Sequence, residues 1–146
     1  MPATHDNAGI SAWRFKLKAE IGSYEDCRAF VEEHDPDFVL AKLGPQMVVL
    51  RLGDGHRDVD SSKGDVFAVR LYDTEIIRYY PDGRFSVDNG GFNTPTTSVR
   101  LNAVLPYGWG AYHRNKKLAL WKSGDHRIDL YPLDHTVIID PKDYAS

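Results

Sequence analysis

The sequence predicts an α+β protein that is mostly antiparallel β-sheet, with one N-terminal helix over about 24–34 and one short helix over about 96–105. Short segments rich in β-branched and aromatic residues recur between Gly, Pro, Asn and Asp, as in strands joined by tight turns. Two other segments have apolar residues at helical spacing. Aromatic residues make up 12% of the chain, which also favours β-rich structure.

Length and composition indicate one globular unit. A chain of 146 residues with 42% hydrophobic and 27% charged residues fits a single domain, so we expect one domain over residues 1–146. Cys27 is the single cysteine, so no internal disulfide can form. No apolar run reaches the roughly 20 residues of a membrane span, and the first residues do not resemble a signal peptide. We therefore expect a cytoplasmic protein without membrane association.

The first elements are a predicted strand and a predicted helix. Residues 13–21 alternate between apolar and polar side chains, which predicts a strand with one buried face. Ser23 is a suitable helix N-cap, and Asp26 stands at the capping-box position. The apolar face of this helix contains Cys27, and Asp35-Pro36 ends the helix. We therefore expect Cys27 in the core.

The centre of the chain predicts hairpins. Segments 38–43 and 47–52 flank the turn Gly44-Pro45-Gln46. Strands at 66–72, 75–80 and 84–88 follow, and Asp82-Gly83 is typical of a turn that needs a positive φ. Gly90-Gly91 ends the last of these strands. The chain therefore predicts a series of antiparallel neighbours.

A short helix and further hairpin strands complete the pattern. Thr96 or Thr97 is the predicted cap of the short helix, with Arg100 and Asn102 on its outward side and Pro106 after its end. Further strands are predicted at 111–114, 118–122, 127–131 and 136–140. The architecture is thus strand, helix, several strands, helix and several strands.

The stretch from Leu71 to Pro106 resembles a family of short, uncharacterised β-rich proteins common in tailed bacteriophage genomes. The resemblance rests on Tyr72-x-Thr-x-Ile, Asp82-Gly83, Gly90-Gly91-Phe92, a threonine cluster and Arg100-x-Asn102. It covers about residues 40–122, which leaves an N-terminal strand–helix extension and a C-terminal β extension. The resemblance implies a viral gene expressed in a bacterial host and carries no known activity, cofactor or catalytic residue.

The sequence favours a non-enzymatic function. It contains no P-loop, no GxGxxG, no GxSxG and no cysteine–histidine zinc spacing, so we expect no cofactor. Asp54, Asp58 and Asp60 share one loop but do not fit the EF-hand spacing, so a metal site there is a weak alternative. An active site assembled by folding from distant carboxylates also stays open.

Charge is distributed unevenly. Residues 23–60 carry nine acids against four Lys and Arg, whereas residues 84–127 carry seven Lys and Arg against two acids. Basic residues in the second segment interleave with aromatic residues, and such a surface suits single-stranded nucleic acid because bases stack on rings while phosphates attract cations. The predicted nucleic-acid-binding residues are Arg84, Arg100, Trp109, Tyr112, Arg114, Lys116, Lys117, Trp121 and Lys122.

Other interpretations stay open. The motif residues can have a purely structural role in turns and caps, and those residues are Asp82, Gly83, Gly90, Gly91, Thr96, Thr97 and Asn102. The acidic segment 23–60 fits an inhibitor of a host defence complex that imitates a phosphate backbone. A minor virion or assembly protein that uses β edges is a third alternative. The sequence does not predict an oligomeric state.

Overall fold

The computed structural model describes residues 17–53, 64–88, 95–114, 117–122, 126–129 and 137–144, and these form the predicted α+β fold. The helices are α1 (Tyr24–His34) and α2 (Pro95–Asn102), with a short 3₁₀ helix at Pro141–Tyr144. The strands are β1 (Leu40–Gly44), β2 (Met47–Leu52), β3 (Val66–Leu71), β4 (Thr74–Tyr79), β5 (Phe85–Val87), β6 (Trp109–Arg114), β7 (Lys117–Lys122), β8 (His126–Asp129) and β9 (Val137–Ile139).

The strands form two antiparallel sheets. The larger sheet has the order β1-β2-β3-β4-β5-β9, and the smaller one has the order β6-β7-β8. Short turns join β1 to β2, β3 to β4 and β4 to β5, whereas β2 and β3 are neighbours across the longer segment 53–65. Strand β9 returns to the larger sheet from the C-terminal part. Mostly antiparallel sheet is therefore confirmed.

The register of the larger sheet separates two faces. One row of directly paired residues is apolar throughout and faces the main core, and it consists of Ala41, Val49, Val69, Ile77, Val87 and Val137. The adjacent row points to the opposite face, and it consists of Leu40, Leu50, Ala68, Arg78, Ser86 and Ile138. Helix α1 contacts β1, β2 and β3, whereas α2 contacts β6.

Helix α1 has the predicted bounds and caps. The Ser23 hydroxyl accepts a hydrogen bond from the Asp26 N–H at 3.1 Å, and the Asp26 carboxylate accepts one from the Gly22 N–H at 3.1 Å. Asp35 ends the helix and its N–H donates to the Val31 carbonyl. Cys27 is fully buried, as predicted, and burial raises the pKa of its thiol well above the usual value.

The predicted first strand is wrong for the part that the structure describes. Residues 17–21 form no strand, although their burial alternates as predicted and Ile21 is buried. The Lys18 N–H donates to the Leu43 carbonyl at 2.8 Å, and Leu17 packs where a side chain on Gly44 would stand. The alternation of apolar and polar residues here reflects burial of one side of the segment, but the segment does not form a strand.

Helix α2 differs from its prediction in three ways. It begins at Pro95, and proline suits this position because the N–H that it lacks would have no hydrogen-bond partner within the helix. Thr96 and Thr97 therefore lie inside the first turn rather than at the cap. It ends at Asn102, before two turn residues. Arg100 and Asn102 do not point outward, because the Arg100 side chain bonds to the β1–β2 turn and the Asn102 side chain bonds to β6.

The Asp82-Gly83 turn forms as predicted. Gly83 has φ 94°, and its N–H donates to the Tyr80 carbonyl at 3.1 Å. Glycine suits this position because it lacks the Cβ that disfavours positive φ. Among the described residues, neither α-helix is long and apolar enough to cross a membrane.

Candidate functional site

The smaller sheet brings two predicted ligand-binding aromatic residues together. Tyr112 pairs with Ala119, and Gly110 pairs with Trp121, so Tyr112 and Trp121 are diagonal neighbours on one side of the β6–β7 hairpin. Diagonal neighbours on one face of an antiparallel pair are about 7–8 Å apart, which lets large rings share a surface. We call Tyr112, Trp121, Gly110 and Ala119 the aromatic platform.

The small members of the platform shape it. Gly110 and Ala119 are buried, and Tyr112 and Trp121 are half-buried. Because glycine and alanine carry almost no side chain, the two large rings can lie close to the sheet at this point. An aromatic ring opposite a strand glycine, as Trp121 is opposite Gly110, also stabilises the sheet by covering the gap that glycine leaves. The platform therefore combines a structural role with partly accessible ring surface.

Basic residues occupy register positions on the same side. Arg114 pairs with Lys117 at the end of the β6–β7 hairpin, and Arg127 pairs with Trp121 across β7 and β8. Residues paired directly or two apart along a strand share a face. Asp129, which pairs with Ala119, is an acid on this side. The backbone thus places three cationic residues around the platform.

Trp109 and Lys122 do not join this surface. They pair with each other and alternate with the platform residues, which puts them on the opposite side of the sheet. Trp109 is 1% exposed, and its ring meets Phe85 edge to face at 5.3 Å between centroids. Its predicted place on an exposed face is wrong because an inward strand position beside β5 draws the ring into the core.

Arg100 is also buried rather than exposed. Its Nη1 atom lies 3.3 Å from the Pro45 carbonyl oxygen and 3.3 Å from the Met47 sulfur. Desolvation lowers the pKa of the guanidinium, and the nearby Tyr72 partly opposes that change. The side chain therefore joins α2 to the β1–β2 turn, a structural role that its position within the Arg-x-Asn motif did not reveal.

Arg84 lies on the other sheet, in the β4–β5 turn. Its Nε atom donates to the Asp82 carboxylate at 2.7 Å, and its guanidinium stands 5.3 Å from the Tyr80 ring centroid. Desolvation acts to raise the pKa of Asp82, but hydrogen bonds from the Arg84 backbone and side chain bring it below its usual value. Arg84 therefore stabilises its own turn.

A groove of about 270 Å³ lies between the start of α1 and the β4–β5 turn. Tyr24, Tyr80 and Arg84 line it together with Pro106 and Pro141. The Arg84 side chain already pairs with Asp82, and the Ser23 hydroxyl already caps α1. We assign no ligand to this groove because its polar groups stabilise the surrounding elements.

Several predicted residues lie outside the described part of the chain. These are Lys116 of the basic set, Gly90 and Gly91 of the turn motif, and the acidic residues Asp54, Asp58 and Asp60. The nucleic-acid and metal predictions that involve them stay predictions.

Asn102 has a structural role, but its hydrogen-bond partner was not predicted from the sequence. Its Nδ2 donates to the Ala111 carbonyl at 2.6 Å, and its Oδ1 accepts from the Ala111 N–H at 2.9 Å. One amide side chain thus pairs with a strand residue as another strand would. This arrangement supports the structural interpretation of the motif, and the spacing of nine residues between the partners gave no signal of it.

Comparison with known proteins places the chain in a phage family. No curated protein and no solved structure matches the chain. Residues 56–129 match the family described as Kyanoviridae Gp96 protein, a region that begins before β3 and ends at β8. It includes the Asp-Gly turn, α2 and the aromatic platform, and overlaps the region in which the phage-family resemblance was seen. Because this match covers half of the chain, the protein belongs to the Kyanoviridae Gp96 family of phage proteins.

Proposed function

We propose that this phage protein is a non-enzymatic accessory protein that binds single-stranded nucleic acid through the aromatic platform and its neighbouring cations. The observation that carries the proposal is the register of the smaller sheet, which places Tyr112 and Trp121 diagonally on the side that also holds Arg114, Lys117 and Arg127. Unpaired bases stack on aromatic rings, whereas bases within a duplex already stack on each other.

Phosphate attraction supplies the second part of the proposal. Lys and Arg beside a stacking surface neutralise phosphates and release counterions, so binding weakens as salt concentration rises. The whole chain has a formal net charge of −3, so attraction for nucleic acid has to come from a local surface. The 84–127 segment, which contains the smaller sheet, is the basic part of the chain.

The test measures fluorescence anisotropy of labelled single-stranded DNA and RNA, with duplexes of the same sequence as competitors. We expect salt-sensitive binding to a single strand and weaker binding to a duplex. Tyr112→Ala and Trp121→Ala should each weaken binding about tenfold, since stacking contributes about 1–3 kcal/mol per base. Tyr107→Ala is the matched control, because Tyr107 is 58% exposed and precedes β6.

Charge variants separate phosphate attraction from stacking. Arg114→Gln with Lys117→Gln should reduce the salt dependence by a slope of about 0.7 for each phosphate that the variant no longer neutralises, with both rings retained. An affinity that does not change with salt concentration would contradict the proposal. Equal affinities of Trp121→Ala and Tyr107→Ala would also contradict it. Circular dichroism of each variant checks that the fold is intact.

A further inference from the structure

The segment between α1 and β1 is held in one defined conformation. We call residues 35–40, which include the first residue of β1, the 35–40 loop. The Asp35 carboxylate accepts hydrogen bonds from three backbone N–H groups, those of Asp37 at 3.0 Å, Val39 at 3.0 Å and Leu40 at 2.8 Å. Such bonds to an ionised acceptor are stronger than neutral ones. A single side chain therefore organises the whole loop.

Phe38 in this loop has a conformation that its side chain disfavours. Its φ is 53°, which is unusual for a bulky residue and explains why β1 begins at Leu40 rather than at Phe38 as predicted. Arg51 holds it in place, with Nε donating to the Phe38 carbonyl at 2.7 Å and the guanidinium 5.1 Å from the ring centroid. Disfavoured backbone of this kind persists when its surroundings enforce it, and often marks a binding segment.

The result of this organisation is an exposed apolar pair. Val39 is 45% exposed and Leu40 is 41% exposed, and the two are consecutive. The strained residue directly before them is packed inward, with the Phe38 ring 5.9 Å from that of Phe67. The loop therefore turns Phe38 toward the core and leaves the next two apolar residues partly exposed to solvent. A partner that covered these two side chains would remove apolar surface from water, which favours binding.

Two backbone groups on the outer edge of β1 already have hydrogen-bond partners. Strand β1 lies at the edge of the larger sheet, where free N–H and C=O groups would accept another strand. The Leu40 N–H instead donates to Asp35, and the Leu43 carbonyl accepts from the Lys18 N–H at 2.8 Å. These two bonds oppose the addition of a strand beside Leu40 and Leu43, so the exposed side chains offer a contact surface there.

The charges around the pair indicate the chemistry of the partner. Glu33 just before the loop and Asp37 within it are exposed acids, and the Asp35 carboxylate adds a third negative charge, against the exposed Lys42 on β1. The Arg51 guanidinium is engaged with Phe38 and lies 3.6 Å from the Asp65 carboxylate. A second copy that presented the same loop would bring like charges together, whereas a basic protein surface would be complementary.

We propose that the 35–40 loop is a docking site for a partner protein, in which Val39 and Leu40 insert into an apolar patch rimmed by Lys and Arg. This site is separate from the aromatic platform and does not depend on nucleic-acid binding. It also assigns residues to the alternative in which the acidic segment 23–60 contacts a host protein.

The first test uses methyl NMR of the intact chain with a defined probe, a short amphipathic peptide of Lys and Leu. We expect saturable shifts of the Val39 and Leu40 methyl signals with this peptide, and none with the matched peptide of Glu and Leu. Val39→Ser with Leu40→Ser should weaken binding about tenfold or more, since the variant removes the apolar surface that the partner would bury. Ile138→Ser, at a residue that is 59% exposed on β9, is the matched control.

The second test identifies the natural partner with a photo-crosslinking residue at position 40 in infected cells, compared with position 138. Adducts at position 40 whose cross-linked peptides are rich in Lys and Arg, and which Asp37→Lys abolishes, would support the proposal. Shifts of equal size with the acidic peptide would overturn it. So would adducts with a second copy of the chain, or no excess of adducts over position 138.

Discussion

Single polar side chains replace regular backbone pairing at two places in this protein. Asp35 accepts from three N–H groups of the loop that follows α1, and Asn102 pairs with both backbone groups of Ala111. Both residues stand where a helix ends, and their side chains bond to backbone groups that lie beyond that helix. The fold at these points depends on individual residues rather than on the pattern of an element.

The role of Asp35 predicts a pH-dependent stability. Hydrogen bonds from the N–H groups of Leu40, Asp37 and Val39 lower the pKa of Asp35 in the folded state. This contribution is fully present above the unfolded value of about 3.9 and is lost as pH falls through the lower folded value. Asp35→Asn should therefore lower the free energy of unfolding at neutral pH, and the difference from the parent should shrink in acid.

Urea denaturation over a range of pH measures this difference. Asp37→Asn is the control, since it removes the same formal charge from the same loop. A deficit of Asp35→Asn that stays constant down to strongly acidic pH would show that the carboxylate does not act through its ionised form.

At the scale of elements, α2 connects the two sheets. Arg100 reaches the β1–β2 turn, Asn102 bonds to β6, and the hydroxyl of Tyr79 on β4 donates to the Val104 carbonyl just after α2. Tyr79 is 2% exposed, and burial raises the pKa of its hydroxyl well above the usual value. The short helix is thus held by polar contacts at its end as well as by apolar packing of Leu101 and Val104.

Asn102→Ala tests this connection. The substitution leaves the N–H and carbonyl of Ala111 without the Asn102 amide, and removing the partner of a buried polar group costs about 1–3 kcal/mol. We expect a reduction of that size in the free energy of unfolding by chemical denaturation. Lys142→Ala, at an exposed residue, is the control. A change within about 0.5 kcal/mol for Asn102→Ala, as for ordinary surface substitutions, would refute the role of the amide.

At the scale of the whole molecule, the two sheets share one core but carry different surfaces. The main cluster includes Val49 and Ile77 from the larger sheet and Trp109 and Leu120 from the smaller one. The aromatic platform belongs to the smaller sheet, whereas the 35–40 loop precedes the edge strand of the larger sheet. The protein therefore has two candidate contact surfaces on one scaffold, one basic and aromatic, the other acidic and apolar.

Substitution of the two tryptophans of the smaller sheet should distinguish an effect on stability from an effect on nucleic-acid binding. Trp109→Ala should reduce the free energy of unfolding by about 3–5 kcal/mol, because it leaves a large cavity beside Phe85. Trp121 is half-buried, so Trp121→Ala should reduce stability less while it weakens nucleic-acid binding. Thermal and chemical denaturation combined with anisotropy measure both quantities. Equal losses of stability in the two variants would contradict the different environments assigned to these rings.

Much of the secondary structure was predictable because its signals are local. Alternation, turn residues and caps predicted α1 over Tyr24–His34 and β2 over Met47–Leu52 with the observed bounds, and the Asp82-Gly83 turn in its observed place. The local pattern was misleading at two places. Residues 17–21 alternate without pairing, and Phe38 leaves the strand pattern because Asp35 and Arg51 hold the loop.

The order of residue types along the chain was enough for the α+β class, most element bounds, the buried Cys27 and the phage family, because each depends on neighbours in sequence. The positions of the aromatic and basic residues relative to one another depended on strand register and on packing between the sheets. That packing buried Trp109 and Arg100, turned Lys122 away from the platform, and put Tyr112 beside Trp121. A shift of one residue in register would exchange the two faces, so composition alone could not assign a side chain to either surface.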